Sequence, residues 1–128
     1  GIGAATARRF TAEGASVVLV DRDERHLADA AKEMHRDRVL THAADVSDSK
    51  AVDAMISTAV ERFGRLDVLV NNAGVHEGGE PEDITNDQWR KVMATDLDGV
   101  FFGCRAALPH LEKTKGSIVN TASVAADS

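Results

Sequence analysis

The sequence predicts an α/β fold of the doubly wound kind, with helices on both faces of a parallel sheet. Three observations predict it. Segments with helical apolar spacing alternate strictly with short apolar runs along all 128 residues. Those runs are continuous and rich in β-branched residues, as in Ser-Val-Val-Leu-Val at 16–20, which is the pattern of strands buried on both faces. The joints between them are short. Each helix therefore crosses over to return the chain to a parallel strand, and right-handed crossovers distribute helices to both faces.

Taken in order, residues 2–13 read as a helix, with Ile2, Ala5, Arg9 and Phe10 near helical spacing. Gly14 ends it, being the residue type that accepts the left-handed conformation past a helix C-terminus. The strand at 16–20 follows, then an amphipathic helix over 23–35 with Leu27, Ala30, Ala31 and Met34 on one side. Residues 39–43 form a weaker strand. Ser47 is the expected cap of a helix that runs to Phe63, with Val52, Met55, Ile56, Ala59 and Val60 as its apolar stripe, and Gly64 stops it. A strongly apolar strand covers 66–70. A loop at 76–83, rich in Gly, Glu and Pro, leads to one long helix over 86–111. Gly116 breaks that helix, and Ser117, Ile118, Val119 and Asn120 begin a further strand. No internal repeat, low-complexity tract or linker divides the chain, which reads as one domain.

Composition excludes several classes. With 15 basic against 21 acidic residues, the net charge of −6 offers no footprint for nucleic acid. No apolar run approaches the roughly 18 residues of a membrane span, and the N-terminus has no secretory pattern. The single cysteine, Cys104, lies in an apolar stretch, reads as a buried structural thiol, and fits a reducing, cytoplasmic setting. His26, His35, His42, His76 and His110 show no metal-ligand spacing, so no metal is expected. Trp89, at helical spacing from Val92 and Met93, reads as core, and Glu77 to Asp83 as a surface loop.

Chemistry gathers at the strand ends. Gly1-Ile2-Gly3 enters a helix, where backbone N–H groups and the positive end of the helix dipole suit a pyrophosphate. Two glycines alone also make an ordinary turn. Asp21 ends the next strand 18 residues after Gly3, where a carboxylate can accept hydrogen bonds from an adenosine ribose. Asp21-Arg22-Asp23-Glu24 reads equally as a polar turn and helix start. A carboxylate at the ribose repels a 2′-phosphate and favours NAD over NADP, whereas the Arg22 guanidinium can pair with that phosphate. The strand at 66–70 ends in Asn71-Asn72-Ala73-Gly74, placing two amides and a bare backbone at the sheet edge where ligands of open α/β sheets bind. Gly74 tolerates the close approach of a nucleoside.

These motifs, in order and spacing along the whole chain, resemble the short-chain dehydrogenase/reductase family. They are Gly1-Ile2-Gly3, Asp21, Asp45-Val46, Asn71-Asn72-Ala73-Gly74, and Gly116-Ser117-Ile118-Val119-Asn120 with Ser123. The resemblance implies a Rossmann-like fold that binds NAD(H) or NADP(H) and moves a hydride between nicotinamide and a carbonyl or alcohol carbon. It implies that Gly1, Ile2 and Gly3 face the pyrophosphate and Asp21 the adenosine ribose. Asp45 and Val46 would line the adenine pocket, and Asn72, Ala73 and Gly74 the ribose. Ser123 matches the serine that hydrogen-bonds the substrate oxygen. The long helix carrying Phe101, Phe102 and Leu108 often joins subunits in this family, so a homo-oligomer is expected.

Two departures stand out. The family's acid/base is a Tyr assisted by a Lys four residues on, both after the serine, and the chain contains no tyrosine. These residues alone are therefore not expected to catalyse proton transfer. Asp96 occupies the position where the family usually has Asn in a water-linked relay; Asp has nearly the same shape but lacks the amide donors and can carry charge.

In the sheet order 3-2-1-4-5-6 the first strand is central. The chain supplies what would be strands two to five, so the expected sheet is incomplete at both ends of the sequence and lacks its middle member. The reading is a domain fragment that is unstable or aggregation-prone on its own. Three functions stay open: an NAD(P)-dependent oxidoreductase, a non-catalytic dinucleotide-binding or regulatory protein, and a remnant that binds nothing. A Tyr-x-x-x-Lys segment after Ser128 separates the first two. The substrate, whether steroid, sugar, acyl compound or simple alcohol, is not legible.

Overall fold

Two parallel strand pairs carry the fold in the computed structural model, which describes residues 1–76 and 79–123. The elements alternate as expected: α1 (Ile2–Ala12), β1 (Val17–Asp21), α2 (Glu24–Ala31), β2 (Val39–Ala43), α3 (Ser49–Phe63), β3 (Val68–Asn71), α4 (Asn86–Met93), α5 (Gly99–Thr114) and β4 (Ser117–Asn120). Single 3₁₀ turns at Arg36–Arg38 and Pro81–Asp83 complete the joints. β1 pairs with β2 from Val17↔Val39 to Asp21↔Ala43, and β3 with β4 from Val68↔Ser117 to Asn71↔Asn120. Among the described residues β1 and β3 share no ladder. This is the pairing expected of strands two with three and four with five.

The apolar stripe of α3 joins the halves. Val52 is fully buried and clusters with Met55, Ile56, Leu69, Ala107 and Leu111. Val20 of β1 and Ile118 of β4 pack against the same cluster, so one core touches both pairs. A smaller cluster of Ala7, Leu19, Leu27 and Met34 seats α1 and α2 on β1.

Several local expectations are corrected. Asp48, not Ser47, caps α3, its side chain accepting from the Lys50 N–H at 3.0 Å. Ser47 instead donates to Asp45. The helix after Asp23 ends at Ala31, short of His35. The long helical region is not uniform: α4 and α5 are joined by a π-helical segment at Ala94–Asp98, and α5 continues past Leu111 to Thr114. Trp89 is 60 % exposed rather than core, and Cys104 is half-buried. Of the acidic loop, Glu77 and Gly78 lie outside the described residues.

Gly14 (φ 95°) and Gly64 (φ 81°) end their helices in the left-handed region, as expected. At the end of α5 the left-handed residue is Lys115 (φ 53°), and Gly116 is needed for a different reason: any Cβ there would run into the Asp67 carbonyl.

Candidate functional site

A cleft of about 1160 Å³ lies between β1 and β3, in the place the sheet order gives to a further strand, and runs from Phe63 and Arg65 at one end to the carboxyl ends of the strands at the other. Gly1, Ile2, Gly3, Asp21, Arg22, Asp45, Val46, Asn72, Ala73 and Gly74 all line it. The residues singled out from four separate stretches of sequence thus converge on one wall system.

The N-terminus of α1 opens into this cleft. Gly1 has no side chain to cap the helix, and the Ala5 N–H, bonded to the Gly1 carbonyl at 3.1 Å, closes the first helical turn. The N–H groups of Ile2, Gly3 and Ala4 precede that bond and have no acceptor within the helix. Gly3 is held to a glycine by its neighbour, since an added Cβ would lie 2.8 Å from Asn72 Nδ2. The glycine loop and the end of β3 therefore meet.

Two carboxylates mark the other end. Asp21 Oδ1 accepts the Asp23 N–H at 2.8 Å, which orients the carboxylate at the end of β1. The reading of this stretch as a polar turn and helix start is borne out, because Asp23 also caps α2. Asp45 Oδ1 accepts from the Ser47 hydroxyl at 2.7 Å and the Ser47 N–H at 3.0 Å. The hydroxyl first, then the amide, with a weaker pull from the Arg22 charge, hold the Asp45 carboxyl below its ordinary range against the opposing effect of desolvation. Val46 lies directly against Gly99, where an added Cβ would stand 2.9 Å from Val46 Cγ2.

At the ends of β3 and β4 a side-chain ladder ties the strands. Asn71 Nδ2 donates to Asn120 Oδ1 at 2.9 Å, and the Thr121 hydroxyl donates to Asn72 Oδ1 at 3.0 Å. The Thr121 N–H bonds the Asn71 carbonyl at 3.0 Å and carries the pairing one residue past β4. Ser123 lies exposed two residues further on and is not among the residues that line the cleft. Asp96 sits in the π segment and also lies outside the cleft lining. Its Oδ1 accepts the Val75 N–H at 2.8 Å, behind the Asn72-Ala73-Gly74 turn.

Sequence reasoning missed Ser47, Gly99, Thr121 and His26 as parts of this site. A glycine inside an apolar helical run was the available signal for Gly99; Thr121 carried none.

The family described as short chain dehydrogenase matches the chain over residues 1–128. The chain belongs to the short-chain dehydrogenase family. It is 49% identical over 124 residues to the meso-2,3-butanediol dehydrogenase of Serratia marcescens, covering 97% of this chain and 49% of that protein. It is 43% identical over 133 aligned positions to the trans-4-hydroxycyclohexanecarboxylate dehydrogenase of Sinomonas cyclohexanicum, covering 98% of this chain and 51% of the relative. Its fold superposes with a TM-score of 0.94, at 38% identity, on the glucose/ribitol-type short-chain dehydrogenase/reductase of Brucella melitensis, covering 99% of this chain and 54% of that one. The chain spans about half the length of the curated relatives it matches.

The residues present fit the family's dinucleotide. The open amides at α1 suit a pyrophosphate, and a side chain on Gly3 would have to displace the Asn72 amide. Asp21 and Asp45 place carboxylate acceptors on the wall of the same cleft. Among the described residues no group of His, Cys, Asp and Glu is arranged to hold a metal ion. Nor is any described helix long and apolar enough to cross a membrane.

Proposed function

We propose that these residues form the dinucleotide-binding half of an NAD(P)-dependent oxidoreductase acting on a carbonyl or alcohol substrate. The observation that carries the reading is the convergence of the uncapped α1 N-terminus, Asp21, Asp45-Val46 and Asn72-Ala73-Gly74 on one cleft. When bound, the nicotinamide cofactor supplies the hydride acceptor or donor. Gly1, Ile2 and Gly3 hold the pyrophosphate through backbone N–H groups, Asp21 accepts from the adenosine ribose, and Asp45 and Val46 frame the adenine. Asn72, Ala73 and Gly74 form the wall against the second ribose, kept in place by Asp96 through the Val75 N–H. Ser123 orients the substrate oxygen.

NAD is the preferred cofactor. The Asp21 carboxylate repels a 2′-phosphate. The relatives named as dehydrogenases of butanediol and of hydroxycyclohexanecarboxylate, both hydroxyl-bearing compounds, support the substrate class. Leu97, Phe101 and Leu108, exposed along the π segment and α5, support a homo-oligomer, and the single cysteine accords with a reducing, cytoplasmic setting.

Calorimetric titration with NAD tests the reading. The whole protein that carries this segment is expected to bind NAD, while these 128 residues alone, which contain no tyrosine to transfer the proton, are expected to oxidise no alcohol. Heat-free titrations with both NAD and NADP would overturn it. The absence of tyrosine also favours a second reading, a dinucleotide-binding or regulatory protein without catalysis, which holds if no Tyr-x-x-x-Lys segment accompanies this one in the whole protein.

A further inference from the structure

The geometry points to Thr121 as a positioning residue for the dinucleotide: its hydroxyl pins the Asn72 side-chain amide across the strand ends, with the nitrogen held over Gly3 at the pyrophosphate turn. The inference rests on the reading that Gly1, Ile2 and Gly3 hold the pyrophosphate, and it concerns a residue that none of the motifs includes.

Asn72 stands between two elements. On one side its amide lies over Gly3: an added Cβ there would be 2.8 Å from Nδ2 and 3.6 Å from Cγ, so the nitrogen is the nearer end. On the other side Oδ1 accepts from the Thr121 hydroxyl at 3.0 Å. Asn72 lines the cleft, whereas Thr121 is not among the lining residues and acts through Asn72.

Thr121 is itself fixed by the strand pair. Its N–H bonds the Asn71 carbonyl at 3.0 Å, and Asn71 Nδ2 donates to Asn120 Oδ1 at 2.9 Å just before it. The register that sets Asn71 opposite Asn120 therefore delivers the hydroxyl to Asn72.

A side-chain amide has a donor end and an acceptor end of nearly equal size. With Oδ1 taken up by Thr121, the end that faces the glycine turn is the donor end. It adds partial positive charge beside the open N–H groups of α1, where an anion is favoured. Without the hydroxyl, Oδ1 loses its partner and the amide is free to turn. A ligand must then order the side chain as it binds, which lowers affinity without removing any group that touches the ligand.

The test compares the Kd values of ADP-ribose and adenosine on the full-length protein that carries this segment. Thr121→Val keeps the branched shape that suits a strand end, and the backbone N–H, while the hydroxyl is lost. The Kd for ADP-ribose is expected to rise about two- to tenfold, the weight of one neutral hydrogen bond. The Kd for adenosine, which has no phosphate, should stay unchanged. Thr121→Ser keeps the hydroxyl and should restore the affinity for ADP-ribose, and Thr121→Ala should repeat the loss where the valine variant does not fold. Equal affinities for ADP-ribose in the wild type and the hydroxyl-free variants would overturn the proposal and leave the reading of the cleft intact. A loss shared in equal measure by adenosine would also overturn it, because that marks a general distortion of the strand ends. If the wild type binds neither ligand, the assignment of the pyrophosphate to Gly1, Ile2 and Gly3 falls, and the role of Thr121 with it.

Discussion

Asp96 Oδ1 accepts the Val75 N–H at 2.8 Å, and an asparagine carbonyl oxygen in the same place would accept it equally well. The departure from the family's residue is thus harmless to the one contact that shapes the Gly74-Val75 turn. Asp96→Asn is expected to keep the melting temperature and, in the full-length protein, to preserve or raise turnover. Asp96→Ala leaves the Val75 N–H without its acceptor, which costs about 0.5–1.5 kcal/mol. Its dissociation constant for NAD should rise, and a titration of both variants beside the wild type checks the pair. Equal losses in the two variants would mean that the carboxylate charge, not the acceptor, is what matters. At this scale much was legible in advance. Asp21 announced itself by its place 18 residues past Gly3, and Asn71 to Gly74 by four specified residues at a strand end. Ser47 was misread as a cap because Ser47 and Asp48 are both good capping residues, and sequence alone does not decide which carboxylate or hydroxyl turns back onto the helix. Thr121 gave no signal, because its contact with Asn72 depends on the register of β4 against β3.

The elements α4 and α5 read as one helix because their apolar spacing runs through the junction unbroken. A π segment leaves the side-chain character of the sequence unchanged and alters only the hydrogen-bond register, so hydrophobic periodicity does not reveal it. Its placement is consequential, since it carries Asp96 and delivers Gly99 against Val46. One turn later Gly103 lets α5 lie close to β3: an added Cβ would stand 2.8 Å from Asn71 Oδ1 and 3.4 Å from Leu69 Cδ2. Gly103→Ala is therefore expected to destabilise the protein by about 1–3 kcal/mol, although alanine is the better helix former. Thermal melts decide it. A variant more stable than the wild type would show that the Asn71–Asn120 ladder yields without cost.

For the whole molecule, the alternation of helix and strand and the parallel pairing followed from the sequence, because short joints leave few topologies. The gap between β1 and β3 followed as well, since the sheet order expects a further strand between them. Among the described residues β1 and β3 face each other with unpaired backbone edges. Each peptide group left unpaired away from water costs about 1–3 kcal/mol. A domain's full margin is only about 5–15 kcal/mol. Urea unfolding of the 128-residue chain is accordingly expected to begin at low denaturant and to be broad. One sharp transition at an ordinary midpoint would show that the core centred on Val52 suffices.

The same unpaired edges divide the backbone of each central strand in two. Along a parallel strand, successive peptide groups point to opposite neighbours. On β1 one set is locked into the ladder with β2 while the interleaved set looks into the cleft. On β3 the same holds opposite β4. Each of these two strands therefore carries alternately sealed and open residues along the edge that the expected first strand would pair with.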